Sequence, residues 1–392
     1  MINGSKYAYP SAKPRVALVR CESYDETKLE HAVARGLDLL GGANTFFKSG
    51  ETLLLKPNIL IGENPKKHVT THPAVFSAVA KALQEAGAQL TYGDSPAFGP
   101  PQISAALCGI TAAAERLNIP MADFVHGQLV SFPQGKLIKQ FTIAKGVLAA
   151  DGIISISKFK THALTRLTGA VKNLFGCIPG LLKSQFHATL NDEYQFGKML
   201  LDVNRLLRPR LCVMDAIIGM EGNGPRNGTT RKVSLLIFAN DPTAMDAVTA
   251  RLMALDPLLV PTLAAAEEWQ AGAVENYELL GDPIESFIMK DYKVNRSPAS
   301  TTKVKGKLAK LFKDISSPRP VINQEKCTAC GTCVDICPVT PKALSFHGDE
   351  GNLPPIYDYD LCIRCYCCQE TCPHDAITVK TPLLGRILSQ GK

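Results

Sequence analysis

With 392 residues and 45% hydrophobic content, the chain can build a substantial core, and a charged fraction of only 20% argues against extended disorder. The formal charge of +7 is unevenly spread: residues 321–380 hold eight acids and four bases, leaving an excess of +11 on the rest, so an acidic segment is tethered to a basic body that can dock it electrostatically. The most apolar stretch, Val147 to Ile156, is broken by Asp151 and is too short to cross a bilayer, and Met1 to Arg15 lacks an apolar signal core. These features predict a soluble, cytoplasmic protein with no transmembrane segment.

In chain order, Arg15 to Arg20 alternates like a strand. Asp25 to Leu40 places Leu29, Val33, Leu37 and Leu40 on one helical stripe. Glu51 to Leu55 reads as a buried strand. Pro73 to Ala86 reads as a helix opened by proline and stopped by Gly87. Gln89 to Tyr92 is a further strand, Ser104 to Leu117 a helix and Gly152 to Ser157 an apolar strand. Leu211 to Val213 and Val233 to Phe238 are strands, followed by a helix over Thr243 to Leu255. Such alternation predicts an α/β body with a mainly parallel sheet.

Ligands of these sheets bind beyond the carboxyl ends of the strands. The polar residues expected there are Lys56 and Asn58, Asp94, then Lys158, Lys160 and His162, and finally Asp215 and Glu221. Between Gly152 and Asn191 no acid occurs, while Lys158, Lys160, Arg166, Lys172 and Lys183 do, with His162 and His187. Lys172 and Asn173 lie in this segment beside glycine turns, a setting suited to a carboxylate or phosphate. The ten residues Lys56, Asn58, Asp94, Lys158, Lys160, His162, Lys172, Asn173, Asp215 and Glu221 are therefore expected to converge on one cleft. The lysines would neutralise an anionic small molecule and His162 would exchange protons. Asp215 and Glu221 would orient a cation or donor, or act as acid and base. No G-x-G-x-x-G, P-loop or G-x-S-x-G pattern supports nucleotide or triad chemistry, and no recognised nucleic-acid surface is present.

Residues 293–313 hold seven bases and no acid, and Leu308, Leu311, Phe312 and Ile315 form a short apolar stripe. Nine of the thirteen cysteines then fall between Cys327 and Cys372. One set is Cys327, Cys330, Cys333 and Cys337 followed by Pro338. The other is Cys362, Cys365, Cys368 and Cys372 followed by Pro373, each 35 residues after its counterpart. Two-residue gaps let three thiolates wrap one iron–sulfur cube, while the fourth cysteine of each run reaches the other cube. This predicts two 4Fe–4S clusters, one held by Cys327, Cys330, Cys333 and Cys372 and the other by Cys362, Cys365, Cys368 and Cys337. Cys367 falls outside the pattern and is expected to be a packed small residue. Tandem runs of this kind do not resemble zinc knuckles.

These motifs resemble two-cluster bacterial ferredoxins over about 60 residues. Upstream, Lys56-Pro57-Asn58, Thr71-His72-Pro73, Gly93-Asp94-Ser95, Lys158 to His162 and Thr168 to Asn173 resemble domain-of-unknown-function family 362. So does Asp215 with Gly219 to Pro225. That resemblance spans residues 15–290 and implies a fold and a site but no reaction. The order His162, Lys172, His187 is also similar to the metal-pincer region of nickel-dependent lactate racemase, with a one-residue difference in the second spacing. The expected organisation is an α/β body over 1–295, a basic linker over 296–320, a small α+β ferredoxin-type module over 321–380 and a tail over 381–392. The expected function is an iron–sulfur oxidoreductase that passes single electrons to an anionic substrate or cofactor, with a redox partner protein. The alternatives are a non-catalytic electron carrier or docking protein, and a racemase-like enzyme with an accessory ferredoxin.

Overall fold

A computed structural model describes residues 13–180, 182–190, 192–297, 318–346 and 353–382. Strand β1 (Arg15–Arg20) leads into helix α1 (Glu26–Leu39), whose first turn is capped where Asp25 accepts from Lys28 N at 3.1 Å. Strand β2 (Thr52–Pro57) precedes α2 (Pro73–Glu85), with Pro73 in the first turn, where no amide donor is needed. After β3 (Gln89–Tyr92) come α3 (Pro101–Leu107) and α4 (Ile110–Arg116). The single helix expected over Ser104–Leu117 is thus two, because Gly109 takes φ +74° between them.

A separate antiparallel hairpin of β4 (Gly127–Ser131) and β5 (Gln140–Ala144) is followed by α5 (Lys145–Ala149) and β6 (Gly152–His162). The chain then runs through β7 (Arg166–Leu167), α6 (Gly169–Asn173), α7 (Leu182–Thr189) and α8 (Glu193–Leu207). Strands β8 (Leu211–Glu221) and β9 (Thr229–Ala239), helices α9 (Pro242–Leu252) and α10 (Pro261–Trp269), and β10 (Glu278–Gly281) complete the body.

The main sheet has the order β10-β1-β9-β8-β6-β2-β3. The pairs β1/β10, β8/β6, β6/β2 and β2/β3 are parallel, while β9 is antiparallel to β1 and β8. The sheet is therefore mainly parallel. Alternate residues feed opposite faces. Leu53, Leu55 and Phe238 pack against Leu29, Val33 and Phe76 of α1 and α2, whereas Leu235 and Ile237 meet Val248 of α9 and Leu263 of α10. Each such side chain contributes roughly 1.5–3 kcal/mol by leaving water.

Two strands run further than the apolar pattern suggests. The sequence places strand ends at Ser157 and Val213, but β6 and β8 continue to His162 and Glu221. They go on pairing with each other, Lys158 opposite Asp215 and Lys160 opposite Met220 across a bulge. Polarity hides the extension, since charged residues rarely occupy a buried strand unless they are paired.

The cysteine-rich module contains β11 (Arg319–Ile322), α11 (Thr332–Asp335), β12 (Leu344–Ser345), β13 (Ile356–Tyr357), α12 (Cys367–Thr371) and β14 (Ile377–Lys380). The antiparallel ladders β11/β14 and β13/β12 each join the start of one repeat to the end of the other. The fold class is thus an α/β body with a small α+β ferredoxin-type module. Most of the expected linker, including Leu308, Leu311, Phe312 and Ile315, and the tail from residue 383 lie outside the described residues.

Candidate functional site

The eight motif cysteines line two cavities. Cys327, Cys330, Cys333 and Cys372 line one. Cys337, Cys362, Cys365 and Cys368 line another. Among the described residues no group of three or more His, Cys, Asp or Glu is placed to hold a single metal ion. Four sulfurs around a volume, three from one repeat and one from the other, are a donor set that fits a multi-atom thiolate cluster.

Helix α12 joins the second run to its last cysteine and lies against the body. Below it is a pocket lined from the module by Cys367, Glu370 and Thr371 and from the body by Lys56, Asp94 and Lys172, among others. Asn58, Asn173, Lys183 and His187 also line it. Lys56 Nζ is 2.8 Å from Asp94 Oδ1 and donates to Asn173 Oδ1 at 3.1 Å. Asn58 Nδ2 donates to the same Asn173 oxygen at 3.2 Å, and Asp94 Oδ2 accepts from Ile59 N at 2.8 Å. A Cβ on Gly176 would overlap Asp94 Oδ1, so glycine is what allows this approach.

Helix α6 sets the far wall. Asp246 Oδ1 and Oδ2 accept from Ala170 N and Val171 N at 2.6 and 3.1 Å, and burial pushes its carboxyl up to about 7. Gly169 has φ +63°, and a Cβ there would overlap the Asp246 carboxylate. The result aims Lys172 into the pocket, half-buried and with no hydrogen bond or ion pair among the described residues.

Two more basic groups line the wall. Lys183 Nζ donates to Ser95 Oγ at 2.6 Å and to Ile178 O at 3.0 Å, and burial lowers its ammonium to about 7. His187 is stacked on Phe196 with centroids 4.3 Å apart, its Nδ1 unpartnered, and burial lowers it to about 3.

His162 lies beside the pocket and meets the module. Its Nδ1 accepts from Leu164 N and Thr165 N at 3.0 and 3.3 Å, so the ring proton sits on Nε2. That nitrogen is 2.7 Å from Glu370 Oε1. Burial, aided by Lys172, lowers His162 to about 4. Burial opposes ionisation of Glu370, yet His162 and Lys172 hold it well below the carboxylate range. A neutral imidazole therefore faces a carboxylate across this contact.

The remaining expected residues lie elsewhere. Lys158 Nζ pairs with Asp215 Oδ2 at 2.7 Å, both fully buried, and Tyr24 OH donates to Asp215 Oδ1 at 3.0 Å. Tyr24 stacks on His72 at 3.8 Å. Lys160 donates to Val69 O at 2.7 Å, and burial followed by Lys172 pushes it well below the lysine range. Glu221 accepts from Lys293 N at 3.2 Å and does not line the pocket. The ten residues thus divide. Five line the pocket, His162 adjoins it, and Lys158, Lys160, Asp215 and Glu221 pack outside it. Sequence reasoning did not select Ser95, Lys183, His187, Asp246 or Glu370 for the site. Lys183 and His187 carry a signal in the acid-free segment, whereas no pattern in the sequence singles out Asp246 or Glu370.

The 4Fe–4S binding domain pattern matches residues 320–340 and 355–378. The chain is therefore an iron–sulfur protein, an α/β body carrying a ferredoxin-type module. The pattern of the domain of unknown function DUF362 matches residues 53–251, just over half of the chain. The chain belongs to the DUF362 family. It is 38% identical over 253 residues to a thylakoid-associated protein of Synechocystis, covering 64% of this chain and 78% of that one. It is also 38% identical over 60 residues to an uncharacterized ferredoxin of Methanocaldococcus jannaschii, covering 15% of this chain and 75% of that one. A lactate racemase apoprotein from Thermoanaerobacterium thermosaccharolyticum aligns with TM-score 0.38 and 12% identity over 59% of this chain and 55% of that one. Among the described residues no helix is long and apolar enough to cross a membrane.

Proposed function

We propose that the protein is an oxidoreductase in which two 4Fe–4S clusters feed a small anion bound beneath α12. The carrying observation is that α12, bearing Glu370, hangs between a cysteine of each cavity and covers a pocket containing the unpaired Lys172. The clusters, when bound to the two sets of four cysteines, would supply single electrons. Lys172, with Lys183 when protonated, attracts the anion, while the Lys56–Asp94 pair and Asn173 fix its orientation. Glu370 and His162 offer a proton route at Nε2. A redox partner protein replenishes the electrons. The cytoplasm is the proposed compartment, and cell fractionation tests it against the thylakoid association of the relative.

The racemase-like alternative puts a cofactor on Lys172 between His162 and His187. It is the weaker reading because His162 Nδ1 already accepts from two backbone amides and Nε2 lies 2.7 Å from Glu370 Oε1.

Anaerobically prepared protein should contain about eight iron and eight sulfide. After reduction with dithionite and removal of the excess, a panel of small carboxylates and oxyanions should include one that reoxidises the clusters, followed by visible absorbance. Lys172→Ala should retain the clusters and lose that reoxidation. Stoichiometric zinc without sulfide, or reoxidation equally fast in Lys172→Ala, overturns the proposal.

A further inference from the structure

The loop between β8 and β9 belongs to the motif Gly219 to Pro225, yet it contributes nothing to the pocket. Its contacts go to the module. Asn223 Nδ2 donates to Ile377 O and Asn223 Oδ1 accepts from Val379 N, each at 3.4 Å. Gln369, fully buried in the middle of α12, donates to Asn223 O at 3.0 Å. Asn227 Nδ2 reaches Gln369 O at 3.5 Å.

Arg226 goes deepest. Its side chain is 8% exposed, and Nη1 donates to Thr371 O at 2.9 Å and to Cys372 O at 2.5 Å. Nε donates to Glu63 Oε1 at 2.7 Å, and Nη2 meets the same oxygen. The other oxygen of Glu63 is 2.9 Å from Lys67 Nζ, so two cations share one carboxylate and an excess positive charge remains. Cys372 is the residue that the second repeat lends to the cavity of the first.

We propose that Arg226 is a positioning residue that fixes Cys372 and raises the reduction potential of the cluster held by Cys327, Cys330, Cys333 and Cys372. The inference rests on the assignment of those cysteines to a cluster. Adding an electron makes a cluster more negative. A poorly solvated guanidinium bonded to the carbonyl of one ligand therefore stabilises the reduced state more than the oxidised one. The contact is local to Cys372, because the second cavity draws its cysteines from Cys337, Cys362, Cys365 and Cys368. The two clusters of one chain should thereby differ in potential, with the Arg226 side the preferred resting place of an electron.

The experiment is a redox titration of the full chain followed by electron paramagnetic resonance, on the wild type, Arg226→Lys and Arg226→Gln, with iron and sulfide assayed in each. In Arg226→Gln, one midpoint should move to more negative potential while the other stays in place. Arg226→Lys, which keeps the charge, should fall between Arg226→Gln and the wild type. Loss of about half the iron in Arg226→Gln, with retention in Arg226→Lys, also supports the assignment, since Cys372 would then have lost its anchor. Unchanged midpoints, equal shifts of both clusters, or loss of both clusters in both variants overturn it. A wild type without clusters would instead sink the functional reading itself.

Discussion

Removing the Lys158 ammonium tests whether the buried pair with Asp215 is a structural strut. Both side chains are fully buried, and the Nζ to Oδ2 distance is 2.7 Å. In Lys158→Met, Asp215 keeps donors from Tyr24 OH, His72 N at 3.0 Å and Ile217 N at 3.3 Å but loses its counter-charge. Taking one partner from a buried pair costs about 3–5 kcal/mol, and the surviving donors favour the low end, about 3 kcal/mol. For a body of this size that corresponds to a Tm lower by about 5 °C. Lys158→Met with Asp215→Leu removes both charges and should recover part of the loss, because apolar replacement of a whole buried pair is often close to neutral. Thermal unfolding of anaerobic, cluster-loaded protein, followed by far-UV circular dichroism, measures both variants. A single variant within a degree of the wild type, or a double variant less stable than Lys158→Met, would refute the strut.

The folded Lys183 ammonium is lowered to about 7, so between about 7 and its ordinary value near 10.5 the unfolded chain binds the extra proton. Stability must therefore rise with pH across that window, and Lys183→Met should flatten the rise when Tm is compared from pH 7 to 9. Cys330→Ser and Cys365→Ser should each impair a different cluster, read as two distinct losses in the paramagnetic spectrum and in iron content. Gly176→Ala would drive a methyl group into the Lys56–Asp94 pair and should cost about 1–3 kcal/mol, measured as a lower Tm with a full iron complement.

The module was the most legible part of the chain because cluster chemistry dictates residue spacing directly. Short gaps between cysteines survive translation into a linear string. The strands were legible where they are apolar, and β3 begins and ends where its pattern does. Legibility failed where polarity is buried. Lys158, Lys160 and His162 read as the residues after a strand, although they are the strand, each meeting a group far away in sequence. Asp215 was selected for the cleft and is instead the partner of Lys158. Glu370 escaped notice because its role depends on a contact with His162 more than 200 residues away, and Asp246 because it looks like one more polar residue of α9. No local pattern marks a carboxylate that caps another element's helix.

Each cysteine cavity takes three residues from one repeat and one from the other. A single 35-residue unit would accordingly complete neither cavity. Two identical copies facing each other across a twofold axis would complete both, each lending its last cysteine to its mate. The two halves are nevertheless not equivalent toward the α/β body, which Gln369 and Glu370 of the second half meet with their side chains. In the first half, 35 positions earlier, those places hold Val334 and Asp335, so the internal repeat breaks its symmetry on the side that faces the body.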